Sequence, residues 1–389
     1  MINKKRLVKL TQKLIQINSE NPGGDEFEIA KFVKKYLEDL GLRPKIYTFA
    51  KKRSNVVCTL AESNRKQSLL ITPHLDTVPA GKSWNIDPFQ GIIRKNKIFG
   101  LGATDCKSNL AVSMEVIRSL IEDKIKLGYN LIFAATADEE SGSQLGLELL
   151  LNRKILQPDV ALVLDADDYS IVVAQKGLLH LKIKINGKKA HGAYPWLGIN
   201  AIDIAMKIIQ EIKAYKFSHL KNKYLKGPTV NIGTIKGGDK VNVVADWSEF
   251  ELDLRFLPGE SSKKLIWNIK NIVKANARQF KIELSGVQEP FLIAEKHPLV
   301  VHLQKAMQQE SVRPRLEGSE GATTISFFQE KNIPSIATGF GKEGVAHMAN
   351  EYAEISTLYK GAKILERFLK SYRFNVKDQN SNVKNKSKI

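Results

Sequence analysis

The stretch that decides the reading is NLIFAATADEESGSQLG, Asn130 to Gly146. Its first half is an apolar run, Leu131, Ile132, Phe133, Ala134 and Ala135, which reads as a buried strand. Three carboxylates follow directly: Asp138, Glu139 and Glu140. Adjacent carboxylates repel and raise one another's pKa unless a cation holds them. Either the run faces open water or positive charge sits beside it.

Outward from this segment, the first 175 or so residues alternate between helix and strand patterns. FEIAKFVKKYLEDLG is an amphipathic helix ending at Gly41, and SNVVCTL and SLLITPHLD read as strands. NLAVSMEVIRSLIED and SQLGLELLLNR read as helices, and VALVLDAD as a strand. Buried strands alternating with helices predict an α/β layered domain, in which ligands gather at the carboxyl ends of the strands. Near Gly177 the pattern changes. LLHLKIKING alternates with period two, as a half-exposed antiparallel strand does. Two helices (from GINAIDIAM and SSKKLIWNI) and the strands TVNIGTIKGG, VNVVADWSEFELDLRF and FKIELSG complete an α+β unit. After Glu289 the helix and strand pattern of the larger domain resumes. The expected organisation is therefore a first catalytic part over 1–177, an inserted unit over 178–287, a second catalytic part over 288–374 and a disordered basic tail over 375–389.

Bulk properties narrow the function. The chain has 389 residues, 43% of them hydrophobic, enough for sizeable cores. No apolar run approaches the roughly 18 residues of a membrane span. Two cysteines, Cys58 and Cys106, make no disulfide framework, so a reducing cytoplasm is expected. The net charge of +19 comes from lysines spread along the whole chain and locally balanced by acids. It reads as a Lys-rich surface, with no nucleic-acid or membrane partner.

Polar clusters fall at the ends of the apolar runs. They are His74 and Asp76 in LLITPHLDTVPAG, Asp105 in GLGATDCKSNLA, Glu139 and Glu140, Asp165 in ALVLDADD, and His347 in GVAHMANEY. Two imidazoles and several carboxylates are the ligand chemistry of zinc or a similar metal, and this many donors suits two metals sharing a bridging carboxylate.

The segments HLDTVPAG, DEESGS, AHGAYPWLGINAI and AHMANEY, in this order and spacing, resemble the M20 metallopeptidase and deacylase family over residues 1 to about 373. That family includes acetylornithine deacetylase, succinyl-diaminopimelate desuccinylase, aminoacylase-1 and the glutamate carboxypeptidases. The resemblance implies a zinc-hydrolase catalytic domain, with a mixed central sheet flanked by helices, and an inserted α+β lid and dimerisation domain. It implies that His74 and Asp165 bind one divalent metal, Glu140 and His347 a second, and that Asp105 bridges them. The metals would be Zn2+, with Co2+ or Mn2+ as alternatives. Asp76 would hold the His74 imidazole. Glu139 would be the general base on the metal-bridging water. With Glu139 and Glu140 so assigned, Asp138 reads as a turn residue or a supporting partner behind the site, with no chemistry of its own. In the lid, His191 would steady the oxyanion in the partner subunit of a homodimer. Tyr194, Asn242, Arg255, Gly318 and Ser319 would contact substrate, Arg255 through its carboxylate; the competing reading of Arg255 is a strand-surface ion pair. The peptide Asp105–Cys106 would be cis, with Cys106 a packed small residue.

The implied activity is removal of the acyl group from an N-acyl amino acid, as in the deacetylase and desuccinylase branch of amino-acid biosynthesis. The alternative is a carboxypeptidase or dipeptidase acting on short peptides. Asp165, where deacylases more often carry Glu, favours the alternative. Leu101, Ser108, Glu320 and Gly321 also depart from the usual family pattern, and the last two bear on substrate identity.

Overall fold

The computed structural model describes residues 1–61, 67–165, 168–217, 219 and 221–374. The basic tail expected over 375–389 lies outside the described residues. The chain divides into two compact units. The first comprises Met1–Val173, Ile293–Glu317 and the chain from Phe327 onward; the second comprises Ala174–Leu292 with Gly318–Ser326.

The first unit is built on a mixed sheet. Strands Ser68–Thr72, Asn130–Ala135, Val160–Leu164 and Ser335–Thr338 run parallel to one another. Strand Arg53–Leu60 pairs antiparallel with Asn130–Ala135, and Lys45–Ala50 adds an outer antiparallel strand. The parallel strands are almost wholly buried, which is why they read as continuous apolar runs rather than alternating ones. Lys45–Ala50 is half-exposed, and Lys45 and Thr48 break its apolar residues, so it shows no unbroken apolar run. Helix Lys107–Glu122 packs against helices Lys4–Ile15 and Ile355–Ser371, and helix Phe27–Glu38 packs on strand Arg53–Leu60. The first helix, Lys4–Ile15, buries Leu7, Leu10 and Leu14 along one face. The short strands Ile92–Arg94, Lys97–Phe99 and Tyr352–Glu354 form a separate three-stranded ribbon.

Parallel pairing has one consequence for chemistry. It puts the carboxyl ends of four strands at one edge of the sheet, the usual place for a ligand in such folds. The residues that leave those ends are His74, the Asp138–Glu140 run, Asp165 and the segment after Thr338. Strand Arg53–Leu60 runs the other way, so its amino end lies at this same edge.

The second unit is a four-stranded antiparallel sheet in the order Thr229–Gly237, Trp247–Phe256, Gly177–Asn186, Gln279–Gln288. Strict alternation sends Leu179, Leu181, Ile183 and Ile185 into a core shared with Phe250, Leu252 and Leu254. Helices Ala201–Ala214 and Ser262–Asn276 close that core with Ala205, Ile208, Ile212, Leu265, Ile269 and Val273. The opposite face carries cross-strand ion pairs, Lys182 with Glu251 at 2.9 Å and Lys184 with Glu283 at 3.0 Å. Of the expected strand VNVVADWSEFELDLRF, only Trp247–Phe256 is strand. Among the described residues no helix is long and apolar enough to cross a membrane.

Helix Ile355–Ser371 contains Gly361 where a helix former would be expected. A Cβ there would lie 2.3 Å from Cγ of the buried Phe340. Gly361→Ala gains about 1 kcal/mol of helix propensity, but overpacking against a ring that cannot retreat costs about 1–3 kcal/mol or more. The expected outcome is a net loss of up to about 2 kcal/mol, read as a lower denaturation midpoint of the first unit. A raised midpoint would mean that Phe340 yields.

Candidate active site

Six titratable groups of the first unit meet at the carboxyl edge of its sheet. The strand Ser68–Thr72 exits through Pro73 into His74, which forms a parallel bridge with Thr136 of the neighbouring exit. His74 Nε2 lies 2.9 Å from Asp105 Oδ1 and 3.6 Å from Asp165 Oδ1. His347 Nε2 lies 3.2 Å from Asp105 Oδ2 and 3.1 Å from Glu140 Oε1. Asp105 therefore stands between the two imidazoles, one oxygen toward each. His74, Glu139 and Glu140 also approach closely enough to share one ion, as do Asp105, Glu140 and His347.

Asp76 contributes more than its position beside His74 suggests. His74 Nδ1 is 3.0 Å from the Asp76 carbonyl oxygen and 3.5 Å from its carboxylate. The two carboxylate oxygens accept the backbone N–H groups of Glu139 and Glu140, both at 3.1 Å. Asn21 donates its side-chain amide to the same carboxylate at 2.9 Å. Asp76 is fully buried, which alone would raise its pKa, but His74, Asn21 and the Glu140 N–H bring it below the usual carboxylate range.

Asp105 is presented by a loop that a second buried carboxylate shapes. Glu351 accepts backbone N–H groups from Gly102 at 3.0 Å, Thr104 at 2.6 Å and Asp105 at 2.9 Å. Because Glu351 follows His347 by four residues, one side chain ties the loop of one imidazole to the loop of the shared carboxylate. The Asp105–Cys106 peptide is cis. Cys106 is buried, and its sulfur accepts the His74 N–H at 3.2 Å. Burial pushes its thiol up to about 12, which keeps it protonated and a poor ligand beside the carboxylates.

The electrostatics of the centre favour bound positive charge. Burial first, then Asp165, pushes the Glu139 carboxyl well above its ordinary value. Burial likewise raises Glu140 and Asp165, against opposing pulls from His347 and His74 respectively. Burial disfavours a charged His74, but hydrogen bonds to Asp105, Asp165 and Asp76 raise its proton affinity. Hydrogen bonds to Asp105 and Glu140 lift His347 to about 10. The donor set is imidazole nitrogen and carboxylate oxygen throughout, which fits divalent cations of the zinc class. Asp105 offers an oxygen to each side, as a carboxylate shared by two ions must.

The remaining candidates belong to the second unit. His191 is exposed, its Nδ1 accepts the Ala193 N–H at 3.0 Å, and its ring lies 5.8 Å from that of Tyr194. Tyr194 is 53% exposed and meets Trp196 edge-on at 5.7 Å. The Asn242 carbonyl accepts the Gly192 N–H at 2.9 Å, linking its loop to that of His191. Arg255 forms a two-point pair with Asp253, at 2.7 and 3.0 Å, so the strand-surface ion pair is present. Gly318 approaches the Tyr224 carbonyl so closely that a Cβ would fall 2.4 Å from it. The Ser319 carbonyl accepts the N–H of Lys176, whose ammonium pairs with Glu320 at 2.5 Å.

Sequence reasoning passed over Asn21, Arg53, Asn55 and Glu351. Glu351 stands inside the AHMANEY segment, where the histidine drew the attention. The other three sit in segments without a metal-ligand residue, and nothing local marks them.

With this geometry in hand, comparison with known proteins is informative. An uncharacterised metallohydrolase of Methanocaldococcus jannaschii is 30% identical over 412 aligned positions, covering 93% of this chain and 98% of that protein. An acetylornithine deacetylase of Aliivibrio salmonicida is 28% identical, covering 92% of this chain and 95% of its own. Among solved structures, aminopeptidase PepT from Bacillus cereus is similar with a TM-score of 0.78 at 26% identity, covering 95% of this chain and 98% of that one. The profile of peptidase family M20/M25/M40 matches residues 70–371. The chain thus belongs to peptidase family M20/M25/M40 and is a hydrolase of amide or peptide bonds.

Proposed function

We propose that the protein is a two-metal amidohydrolase that removes the acyl group from an N-acyl amino acid. The observation that carries the two-metal centre is the carboxylate of Asp105 between two imidazoles, with Glu139 in reach of His74 and Glu140; the acyl amino acid is supported by the similarity to an acetylornithine deacetylase. His74 and Asp165 would hold one divalent cation, His347 and Glu140 the other, and Asp105 both. Zinc is the first candidate, with cobalt or manganese as substitutes. Cations so held lower the pKa of water and polarise a carbonyl.

The chain's own groups do the rest. Glu139 accepts a proton from the attacking water and delivers it to the leaving nitrogen. Burial beside Asp165 raises its basicity, which suits a base that must take a proton and give it back. Asp76 holds the Glu139 and Glu140 backbone in place while His74 is oriented through Nδ1. Arg255, pre-oriented by Asp253, offers a guanidinium fork to the substrate's free carboxylate. Tyr194, Asn242, Gly318 and Ser319 line the substrate. His191 reaches the oxyanion of the partner subunit in a homodimer. Two buried, unpaired cysteines are in keeping with a reducing cytoplasm.

A peptidase reading has its own support. Asp165 is the residue that peptidase relatives carry more often, and the similar solved structure quoted above is an aminopeptidase.

Glu139→Gln is expected to lower kcat by about 10²–10⁴-fold while metal content, measured by atomic emission, stays at the parent level. Loss of metal together with activity would reassign Glu139 as a ligand. N-acetylornithine, N-succinyl-diaminopimelate and a panel of di- and tripeptides, assayed with Zn2+ or Co2+, should show the highest kcat/KM for an acyl amino acid. Faster turnover of the peptides would select the peptidase. Mixing inactive His191→Ala with inactive Glu139→Ala should restore part of the activity after subunit exchange. No recovery would place His191 within its own chain's site or outside catalysis.

A further inference from the structure

Strand register brings a buried arginine to the turn that carries the base. Strand Arg53–Leu60 pairs antiparallel with Asn130–Ala135, with Val56 opposite Ala135. Continuing the register beyond Ala135 sets Asn55 beside Thr136 and Arg53 beside Asp138. Side-chain contacts follow that placement. Asn55 accepts the Ala137 N–H at 2.9 Å and donates to the Leu145 carbonyl at 3.0 Å. Arg53 Nη2 pairs with Asp138 Oδ1 and lies 3.2 Å from Glu26 Oε1. The other Asp138 oxygen accepts the Leu145 N–H at 2.9 Å, and the Asp138 N–H donates to Glu26 at 3.3 Å.

We propose that Arg53 is a positioning residue for Glu139 and Glu140, acting through Asp138. The turn that bears the two glutamates is held on two flanks. On one, Asp76 binds their backbone N–H groups. On the other, Arg53 holds the preceding residue by its carboxylate. Asp138 adopts a left-handed φ of +67°, and this residue sets the direction in which the chain leaves the strand. The guanidinium has little room to move. A Cβ on Gly24, itself at φ +47°, would fall 1.6 Å from Arg53 Nη1, so the arginine packs against bare backbone. Arg53 is 8% exposed and Glu26 fully buried. Burying such charges brings little net stability, because desolvation offsets the attraction, and apolar replacements of a buried pair are often neutral or better. A buried Arg53–Asp138–Glu26 cluster one residue from a catalytic base is better explained by the geometry it imposes. It also accounts for the first of the three carboxylates: Asp138 is an anchor, Glu139 and Glu140 the groups anchored.

The inference rests on the roles proposed for Glu139 and Glu140, and Glu139→Gln, run alongside, tests those separately. The full-length protein is stripped of metal and titrated with Co2+, read by visible absorption, and kcat and KM are measured on its best substrate. Arg53→Met is expected to weaken Co2+ binding or lower kcat by about 10–100-fold, with KM within about threefold of the parent. Arg53→Lys should recover most of the loss. Asp138→Asn should resemble Arg53→Met, and the double variant should be no worse than Arg53→Met alone, since both changes break one interaction. Parent-like Co2+ affinity and kcat in Arg53→Met, with only a lower Tm, would overturn the proposal. So would independent, multiplying effects of the two substitutions. Where Arg53→Met does not fold, Arg53→Lys and Asp138→Asn decide by the same readouts. Should Glu139→Gln remain active, the base is misassigned, and only the Co2+ arm then bears on Arg53.

Discussion

The buried carboxylate of Asp76 is the constraint on which the centre depends. It ties together two neighbouring strand exits beyond the short backbone bridge of His74 with Thr136. On its own exit the Asp76 carbonyl oxygen lies 3.0 Å from His74 Nδ1, and from the next exit the carboxylate receives the N–H groups of Glu139 and Glu140. Hydrogen bonds to a charged acceptor are each worth about 1.5–3 kcal/mol. Losing the acceptor would also leave those donors buried without partners. A turn of short side chains after a strand has many conformations, and here the carboxylate selects one.

The same device recurs across the first unit. Glu351 shapes the Asp105 loop by accepting three backbone N–H groups, and Arg53 with Asp138 closes the opposite flank of the glutamate turn. Each of these groups is withdrawn from solvent, and each satisfies backbone donors or a charge that would otherwise be costly to bury. The charges that meet at the sheet edge are thus held by a surrounding layer of buried charges. Burial raises the basicity of Glu139, Glu140 and Asp165, while two imidazoles keep Asp105 ionised. Chemical roles diverge among similar side chains because their surroundings differ.

Much of the fold was legible. Unbroken apolar runs such as Leu131 to Ala135 mark strands covered on both faces, and alternation from Leu179 to Ile185 marks a sheet covered on one. The change between the two patterns near Gly177 lies close to the passage from one unit to the other at Ala174. The edge strand Lys45–Ala50 escaped because, half-exposed, it has neither an unbroken apolar run nor strict alternation, and the ribbon strands because three residues carry no period. The assignment of Gly318–Ser326 to the second unit was equally invisible, since that segment returns after a long excursion through the first.

The sequence by itself determined which chemistry the protein can hold: imidazoles and carboxylates at the ends of apolar runs, in an order shared with a known family. Local patterns suffice for that, because strand burial and strand exits are written in neighbouring residues. Only the tertiary structure decided which groups hold the others in place. Arg53 reaches Asp138 through antiparallel register, and Glu351 reaches Asp105 because the ribbon strands Lys97–Phe99 and Tyr352–Glu354 pair. Register and loop closure bring together residues far apart in the chain, and a side chain whose work is to accept a distant N–H leaves no periodic trace beside it.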